Sequence, residues 1–238
     1  MSDKRLICLD LDGTLTQHKT PLCQKNRTVL DKLQKRYKTL IVGAGNAERI
    51  YRQMGQYPID IIANYGMQES RIIDGRFIII RNDRIDIDKA AFYEKCMLLR
   101  KKYGYTEYSG DHIEFHPSGM VTFSLLGSGA DINEKIKFDP DRSKRRILFD
   151  DVKKYFPDYT VFIGGSSSFD FAPVQYNKYD AIMRYAKENG YNKEEILYIG
   201  DDFEEGGGDS HVRIGGIDWI FVDNYENLHS ILTGHKII

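Results

Sequence analysis

The heptapeptide Leu9-Asp10-Leu11-Asp12-Gly13-Thr14-Leu15 continues an apolar run that begins at Leu6. Two carboxylates that are two residues apart lie on the same side of a strand if the strand continues through them. Gly13 allows the backbone to turn sharply, and Thr14 places a hydroxyl at the turn. One strand end thus combines two acids with backbone N–H groups, which suits a metal ion and a phosphoryl group. The plainer interpretation is a strand that ends in an acidic turn.

Strands and helices alternate around this heptapeptide. Apolar runs predict strands at 5–9, 39–43, 59–63, 196–199 and 219–222. Apolar residues at helical spacing predict helices at about 25–37, after the N-cap residue Asn46, around Tyr179–Ala186 and at the C-terminal end. Strands that alternate with helices predict a parallel sheet with right-handed crossovers, a Rossmann-like α/β fold.

The alternation of strands and helices stops after the predicted strand at 59–63 and resumes before the predicted strand at 196–199. Residues 71–80 read as a hairpin with an Asp74-Gly75 turn. Beyond it, two helices and several strands without the parallel alternation predict a separate α+β domain. We place this inserted domain at residues 84–172, and the α/β domain at residues 1–83 and 173–238.

Composition narrows the functional classes. The 238 residues carry a net charge of −1, so no global charge attracts nucleic acid or an anionic membrane. The basic run Arg142–Arg146 is interpreted as the solvated start of a helix rather than a binding patch. No apolar run approaches the roughly 20 residues that span a bilayer. The three cysteines lack metal-ligand spacing and no signal peptide is recognised, which favours a reduced, cytoplasmic setting.

Polar residues follow three of the predicted parallel strands, at the sheet edge where ligands bind in such folds. Asp10 and Asp12 follow the first strand, Gly45 and Asn46 the second, and Asp201 a later one. Hard oxygen ligands of this kind suit Mg²⁺, and we predict Asp10, Asp12 and Asp201 as its ligands, with Asp12 contributing its backbone carbonyl.

The same residues predict a phosphoryl-transfer mechanism. Asp10 is the predicted nucleophile, which forms an aspartyl-phosphate, and Asp12 the predicted general acid and base. Lys178 opens a predicted helix and balances the charge of the nucleophile and of the phosphoryl group. Backbone N–H groups of Gly45 and Asn46, together with Lys178, are the predicted phosphate ligands. The partner that this site implies is a small phosphorylated molecule.

The heptapeptide resembles motif I, Asp-x-Asp-x-Thr, of the haloacid dehalogenase superfamily. Further stretches look like the eukaryotic-type phosphomannomutases, a branch with an inserted type IIB cap: Gly164–Asp170, Asn177-Lys178, Gly200-Asp201, Gly206–Asp209 and, in the cap, His112–Phe115 and Gly119-Met120. The resemblance implies a Mg²⁺-dependent enzyme that acts on a phosphosugar between core and cap. It also implies that Ser168 and Asp170 face substrate hydroxyls, and it leaves open a homodimer through the cap.

The chain departs from this pattern at positions that matter for the reaction. Gly45 stands where the family has a serine or threonine that bonds the transferring phosphate. His116, Ser128 and Lys135 stand where the cap has arginines that hold the second phosphate, and none of them reproduces the arginine fork. We count all three as predicted substrate-binding residues.

These losses affect a mutase more than a hydrolase, because a mutase must also hold the phosphate that is not transferred. The sequence therefore predicts a phosphohydrolase that acts through an aspartyl-phosphate on Asp10. A phosphomannomutase-like mutase is the first alternative, and a non-catalytic phosphosugar-binding protein is the second.

Overall fold

The computed structural model describes residues 3–238, which form two compact units. The core unit runs up to Asp83 and takes in Asn177–Glu204 and Asp209–Ile238, and the cap unit takes in Arg84–Tyr176 and Glu205–Gly208. The predicted return to the α/β domain at residue 173 is thus a few residues early. The cap unit extends further because Val174 N donates to Asp158 O at 3.0 Å, and it includes 205–208 because Ile163 N donates to Gly206 O at 2.8 Å.

A seven-stranded sheet forms the centre of the core unit. Its strands are β1 (Leu6–Leu9), β2 (Lys38–Val42), β3 (Asp60–Ala63), β4 (Gln68–Ile73), β5 (Arg76–Asn82), β10 (Ile196–Gly200) and β11 (Asp218–Phe221). They lie in the order β11-β10-β1-β2-β3-β4-β5. The strands from β11 to β3 are parallel, and β4 and β5 add an antiparallel hairpin. The predicted α/β class is confirmed.

The sequence explains several of these elements directly. β1 is wholly buried, since it is apolar and lies between β2 and β10. Asp74 and Gly75 both have positive φ, 50° and 71°, as the tight turn between β4 and β5 requires. Asn46 caps the helix after β2 by accepting a hydrogen bond from Arg49 N at 2.8 Å.

Helices cover the two faces of this sheet and bury a separate apolar layer on each. The core unit's helices are α1 (Gln24–Gln34), α2 (Ala47–Gln53), α6 (Lys178–Glu188), α7 (Ser210–Ile214) and α8 (Leu228–Gly234). One layer packs α1, α2 and α8 against side chains such as Ile7 and Leu9. The other packs α6 and α7 against the opposite face, which includes Leu6 and Cys8. The alternation of β1 side chains between two faces thus fixes both layers.

The cap unit is an α+β structure in its own right. Its strands are β6 (Ile113–Phe115), β7 (Val121–Ser124), β8 (Tyr159–Phe162) and β9 (Ser168–Pro173), and its helices are α3 (Lys89–Tyr103), α4 (Ile132–Phe138) and α5 (Ser143–Tyr155). The antiparallel sheet has the order β6-β7-β9-β8, and its core includes residues from α3 and α5. Among residues 3–238, no helix combines the length and the hydropathy that crossing a bilayer needs.

Two features of the cap unit differ from the sequence interpretation. α4 is not predicted, because none of its residues is buried and so no apolar stripe marks it. Arg145 belongs to the run interpreted as solvated, but its side chain is only 1% exposed. Its Nε donates to Asp139 Oδ2 at 2.7 Å, and its Nη1 donates to the carbonyl of Gly164 at 2.7 Å. That part of the interpretation is wrong.

We expect DTNB to titrate one fast-reacting thiol in the native protein. Cys23 is exposed, whereas Cys8 and Cys96 are fully buried, and burial raises the pKa of both buried thiols. Absorbance at the thionitrobenzoate maximum measures the count, and unfolding in guanidinium should release the remaining two. A Cys23→Ser variant should leave no fast phase, and two or more fast thiols in the native protein would contradict the burial described here.

Candidate active site

Asp10 and Lys178 form a buried ion pair at the end of β1. Lys178 is the first residue of α6, whose N-cap Asn177 accepts from Asp180 N, and the helix start directs its side chain to the sheet edge. Lys178 Nζ donates to Asp10 Oδ1 at 2.5 Å. The side chains are only 4% and 9% exposed. The structure therefore brings together the predicted nucleophile and the predicted charge-balancing lysine.

Two further groups complete a network around the Lys178 ammonium. Its Nζ also donates to Asp209 Oδ1 at 2.8 Å and to the Tyr198 hydroxyl at 3.2 Å. The Tyr198 hydroxyl in turn donates to Asp209 Oδ1 at 2.5 Å. Asp209 and the ammonium are thus fixed by more than one contact each. Such a network holds Asp10 in one orientation.

Asp201, at the end of β10, approaches the same edge from the strand beside β1. Thr14 Oγ1 donates to Asp201 Oδ1 at 2.9 Å, so the hydroxyl of the heptapeptide holds this carboxylate. Gly13 has a φ of 102°, and a Cβ there would lie 2.3 Å from Asp201 Oδ2. Only glycine therefore allows both this turn and the close approach of Asp201.

Burial and mutual repulsion govern the charges of this cluster. Burial, and the nearby carboxylates of Asp209 and Asp201, raise the pKa of Asp10, while Lys178 opposes the shift. Burial and the charge of Asp209 likewise raise the pKa of Asp201. Burial alone would lower the pKa of Lys178, but Asp10 and Asp209 reverse this and hold it well above its usual range. Lys178 therefore stays protonated at neutral pH.

This donor set fits a hard divalent cation. Asp10 and Asp201 supply two carboxylates in a region where negative charge exceeds the single lysine, and the backbone carbonyl of Asp12 follows on the same turn. Mg²⁺ in proteins is commonly held by one or two carboxylates and keeps several waters. Among residues 3–238, no three His, Cys, Asp or Glu side chains are placed to hold a metal by themselves. Carbonyl and water ligands would therefore complete the coordination.

The Asp12 carboxylate accepts hydrogen bonds from a different set of residues than the Asp10 carboxylate does. It accepts from Gln53 Nε2 and Lys19 N, both at 2.8 Å, and from Arg49 Nη2 at 3.2 Å. Burial raises the pKa of Asp12, but these three donors outweigh it and lower the pKa. β1 ends at Leu9, so the strand does not continue through the two acids and does not place them on one side. As placed, Asp12 is ionised and able to act as a base.

The predicted phosphate ligands at the end of β2 lie next to Asp12. Gly45 and Asn46 connect β2 to α2, and the side chain of Asn46 is used as the N-cap of α2. A Cβ on Gly45 would lie 2.0 Å from Arg49 Nη2, so the arginine side chain fills the space that a serine would occupy.

Three of the predicted cap residues lie on or beside one polar face of the cap sheet. Ser168 and Asp170 alternate along β9 with buried phenylalanines, and they share a face with Thr122 of β7. The Thr122 hydroxyl donates to Asp170 Oδ1 at 2.8 Å, and His116 Nε2 lies 3.1 Å from the same hydroxyl. Ser168 Oγ donates to Gly164 O at 2.9 Å. Within the cap unit, His116, Thr122 and Asp170 thus form one polar chain.

Ser128 and Lys135 form a second group in the cap unit. The hydroxyl of Ser128 accepts from Asp111 N at 2.9 Å, and Lys135 Nζ donates to Ser128 O at 2.8 Å. Both contacts stabilise the loop that follows β7. Neither residue brings a guanidinium to the cap unit, so the structure supplies no arginine fork at these positions.

Sequence reasoning missed several residues of the site. The sequence pattern predicts Tyr198 only as a strand residue, because an apolar strand gives no sign that one of its side chains has a buried polar partner. Arg49 and Gln53 lie one and two turns into α2, on the face that reaches Asp12. Their spacing from Asn46, at three and seven residues, was the signal that could have identified them.

Comparisons with known proteins agree with this architecture. A model of the eukaryotic phosphomannomutase family matches residues 92–217. The phosphomannomutase of Saccharomyces cerevisiae is 27% identical, with 95% of this chain and 88% of the relative covered. A truncated, IMP-bound Plasmodium falciparum IMP-nucleotidase shares the fold with a TM-score of 0.67 at 14% identity, covering 100% of this chain and 69% of that one.

A second solved structure shares the fold over nearly its whole length. It is a haloacid dehalogenase-like hydrolase from Bacillus subtilis, with a TM-score of 0.60 at 17% identity, covering 95% of this chain and 92% of that one. The family model spans more than half of the residues and includes Lys178 and Asp201. The chain is therefore a member of the eukaryotic phosphomannomutase family, an enzyme branch of the haloacid dehalogenase superfamily.

Proposed function

We propose that the protein hydrolyses a small phosphate monoester, a sugar phosphate, through an aspartyl-phosphate on Asp10. The buried contact of Asp10 with Lys178 carries this proposal, because it fixes a carboxylate nucleophile beside a permanent positive charge. In the first step, an Asp10 oxygen forms a bond to phosphorus while the bond from phosphorus to the sugar oxygen breaks. In the second, water attacks phosphorus and releases inorganic phosphate and the Asp10 carboxylate.

The proton transfers are assigned to Asp12. Its hydrogen bonds keep it ionised, so it can accept the proton of the attacking water. Over one turnover the transfers balance: the leaving sugar oxygen takes a proton from Asp12 in the first step, and Asp12 recovers one from the attacking water in the second. Enzymes of this superfamily generally use Mg²⁺, which when bound offsets the negative charge of the phosphoryl group. Asp10, Asp201 and the Asp12 carbonyl are the proposed ligands.

Water as the acceptor is supported by the cap unit. In the family resemblance, cap arginines hold the phosphate that is not transferred, and this chain has His116, Ser128 and Lys135 there. Ser128 and Lys135 are engaged with their own loop, and His116 with Thr122. The buried Arg145 is likewise occupied by Asp139 and backbone carbonyls. A hydrolase needs a single phosphoryl site. The missing cap arginines therefore impair a hydrolase less than a mutase, which must also hold a second phosphate.

The second candidate is a hexose-phosphate mutase, and one specific observation favours it. Relatives named phosphomannomutase match most of the chain, including proteins from Saccharomyces cerevisiae and Schizosaccharomyces pombe that are 27% and 28% identical. In a mutase, a sugar hydroxyl replaces water as the acceptor of the phosphoryl group. The same Asp10, Asp12 and Lys178 would serve both reactions.

One assay with two readouts separates these candidates. The purified protein is incubated with Mg²⁺ and hexose 1- and 6-phosphates, and inorganic phosphate release is measured. In parallel, conversion of mannose 1-phosphate to mannose 6-phosphate is measured with a hexose bisphosphate activator. We expect steady phosphate release that EDTA stops and excess Mg²⁺ restores. Isomer conversion that outpaces phosphate release would establish the mutase instead, and no turnover of any phosphate would favour a binding protein.

A further inference from the structure

Gly45 and Arg49 share one space at the end of β2. A Cβ on Gly45 would lie 2.0 Å from Arg49 Nη2, 2.4 Å from Nε and 2.5 Å from Cζ. Gly45 does not have a positive φ, so its backbone conformation alone does not require glycine. The Arg49 guanidinium therefore occupies the space that a side chain at 45 would need, and a side chain there would have to move it.

This guanidinium is fixed in place and still accessible. Arg49 Nη1 donates to Gln53 Oε1 at 2.7 Å, and Nη2 donates to Asp12 Oδ2 at 3.2 Å. The side chain is 33% exposed, so solvent and small solutes reach it. A guanidinium has five N–H donors in a planar fork, and these contacts leave donors for a ligand.

The charge of the site shows what such a ligand would be. The carboxylates at this sheet edge are Asp10, Asp12, Asp201 and Asp209. Lys178 is already bonded to Asp10 and Asp209. A phosphate dianion that approaches Asp10 needs further positive charge, and Arg49 is a cation placed at the adjoining strand end. Arginine can donate two parallel hydrogen bonds to phosphate oxygens through its planar guanidinium, whereas lysine binds as a point charge.

We propose that Arg49 binds the phosphoryl group that is transferred to Asp10, from the space that Gly45 leaves open. The inference rests on the proposed function, since the ligand it assigns is that phosphoryl group. Arg49 thus supplies, from one turn into α2, the donor that a hydroxyl at position 45 would otherwise provide. Gly45 and Arg49 act as a pair, because a larger residue at 45 displaces the guanidinium.

Direct binding of inorganic phosphate, measured by isothermal titration calorimetry with Mg²⁺ in the buffer, tests this without turnover. Arg49→Ala should weaken phosphate binding by about tenfold or more, as expected for a charge-assisted contact. Arg52→Ala is the matched control, since Arg52 is an exposed arginine of the same helix, and it should bind as the wild type does. Gly45→Ala should weaken binding too, since a Cβ at 45 displaces the guanidinium, and adding Arg49→Ala to it should change little further.

A second comparison separates direct binding from an effect through Asp12. In an Asp12→Asn background, Arg49→Ala should still weaken phosphate binding by a similar factor. If the loss disappears in that background, Arg49 acts by positioning Asp12 and the proposal is wrong. Phosphate binding within twofold of wild type in Arg49→Ala, or no binding by the wild type, would also overturn it.

The proposal and the proposed function fail in different ways. A protein that hydrolyses phosphate esters but binds phosphate equally well without Arg49 would retain the function and lose this inference. A protein that binds phosphate through Arg49 but turns over no ester would retain this inference and lose the proposed function.

Discussion

Replacing Asp10 with asparagine is expected to lower kcat by at least about a thousandfold, because the amide cannot form the bond to phosphorus. The fold should persist, since an amide has nearly the shape of the carboxylate and Lys178 keeps its contact with Asp209. Rapid quench with a ³²P-labelled substrate, followed by acid precipitation, measures the acid-stable phosphoprotein. Wild-type protein should accumulate label, and Asp10→Asn should not.

The control for this experiment is Asp150→Asn. Asp150 lies on α5 of the cap unit with its side chain 78% exposed, so its loss should leave both turnover and labelling unchanged. Circular dichroism should show the same secondary structure in all three proteins. Label retained by Asp10→Asn would place the nucleophile elsewhere and refute the mechanism.

Replacing Lys178 with methionine is expected to abolish activity and to destabilise the protein. The ammonium is buried between Asp10 and Asp209, so its removal leaves two carboxylates without a counter-charge. Breaking a buried pair by removing one partner costs about 3–5 kcal/mol. For a chain of this size, that corresponds to a fall in Tm of roughly 6–20 °C, which differential scanning calorimetry measures.

A double variant separates the two effects of Lys178. Lys178→Met combined with Asp209→Asn removes one positive and one negative charge, so much of the lost stability should return. Activity should not return, because Asp10 still lacks its cation. Recovery of turnover in the double variant would show that Lys178 serves only to stabilise the fold. A Tm for Lys178→Met equal to that of the wild type would contradict the buried network.

The parallel part of the fold was predictable because its signals are local. Each buried strand is a short apolar run, and crossover handedness then limits how such strands connect. The helices that the sequence did not predict are those without a local apolar periodicity. α4 buries no residue, and α7 has only five, too few to show a helical period. Arg145 looked solvated because its partner Asp139 and the Gly164 carbonyl are brought to it by the fold.

Some residues of the candidate site could likewise be predicted from local sequence, and others are brought into the site only by the fold. Asp10 could be placed from its strand end alone, and Lys178 from the start of its helix. The partners of Asp12 could not, because the strand ends one residue before Asp10 and redirects the second carboxylate towards α2. Tyr198 is a strand residue by pattern, and its hydroxyl became part of the site only through the packing of β10 against β1.

The central place of β1 has a consequence for how the chain folds during synthesis. β1 pairs on one side with β2, where Leu6 faces Lys38, and on the other with β10, where Leu6 faces Ile196. The first neighbour emerges from the ribosome early, and the second only after the cap unit has been made. Until then one edge of the nucleophile's strand has no partner, which exposes it to aggregation. Dependence on so distant a pairing also slows folding, so the nascent chain is most vulnerable while the cap unit is being translated.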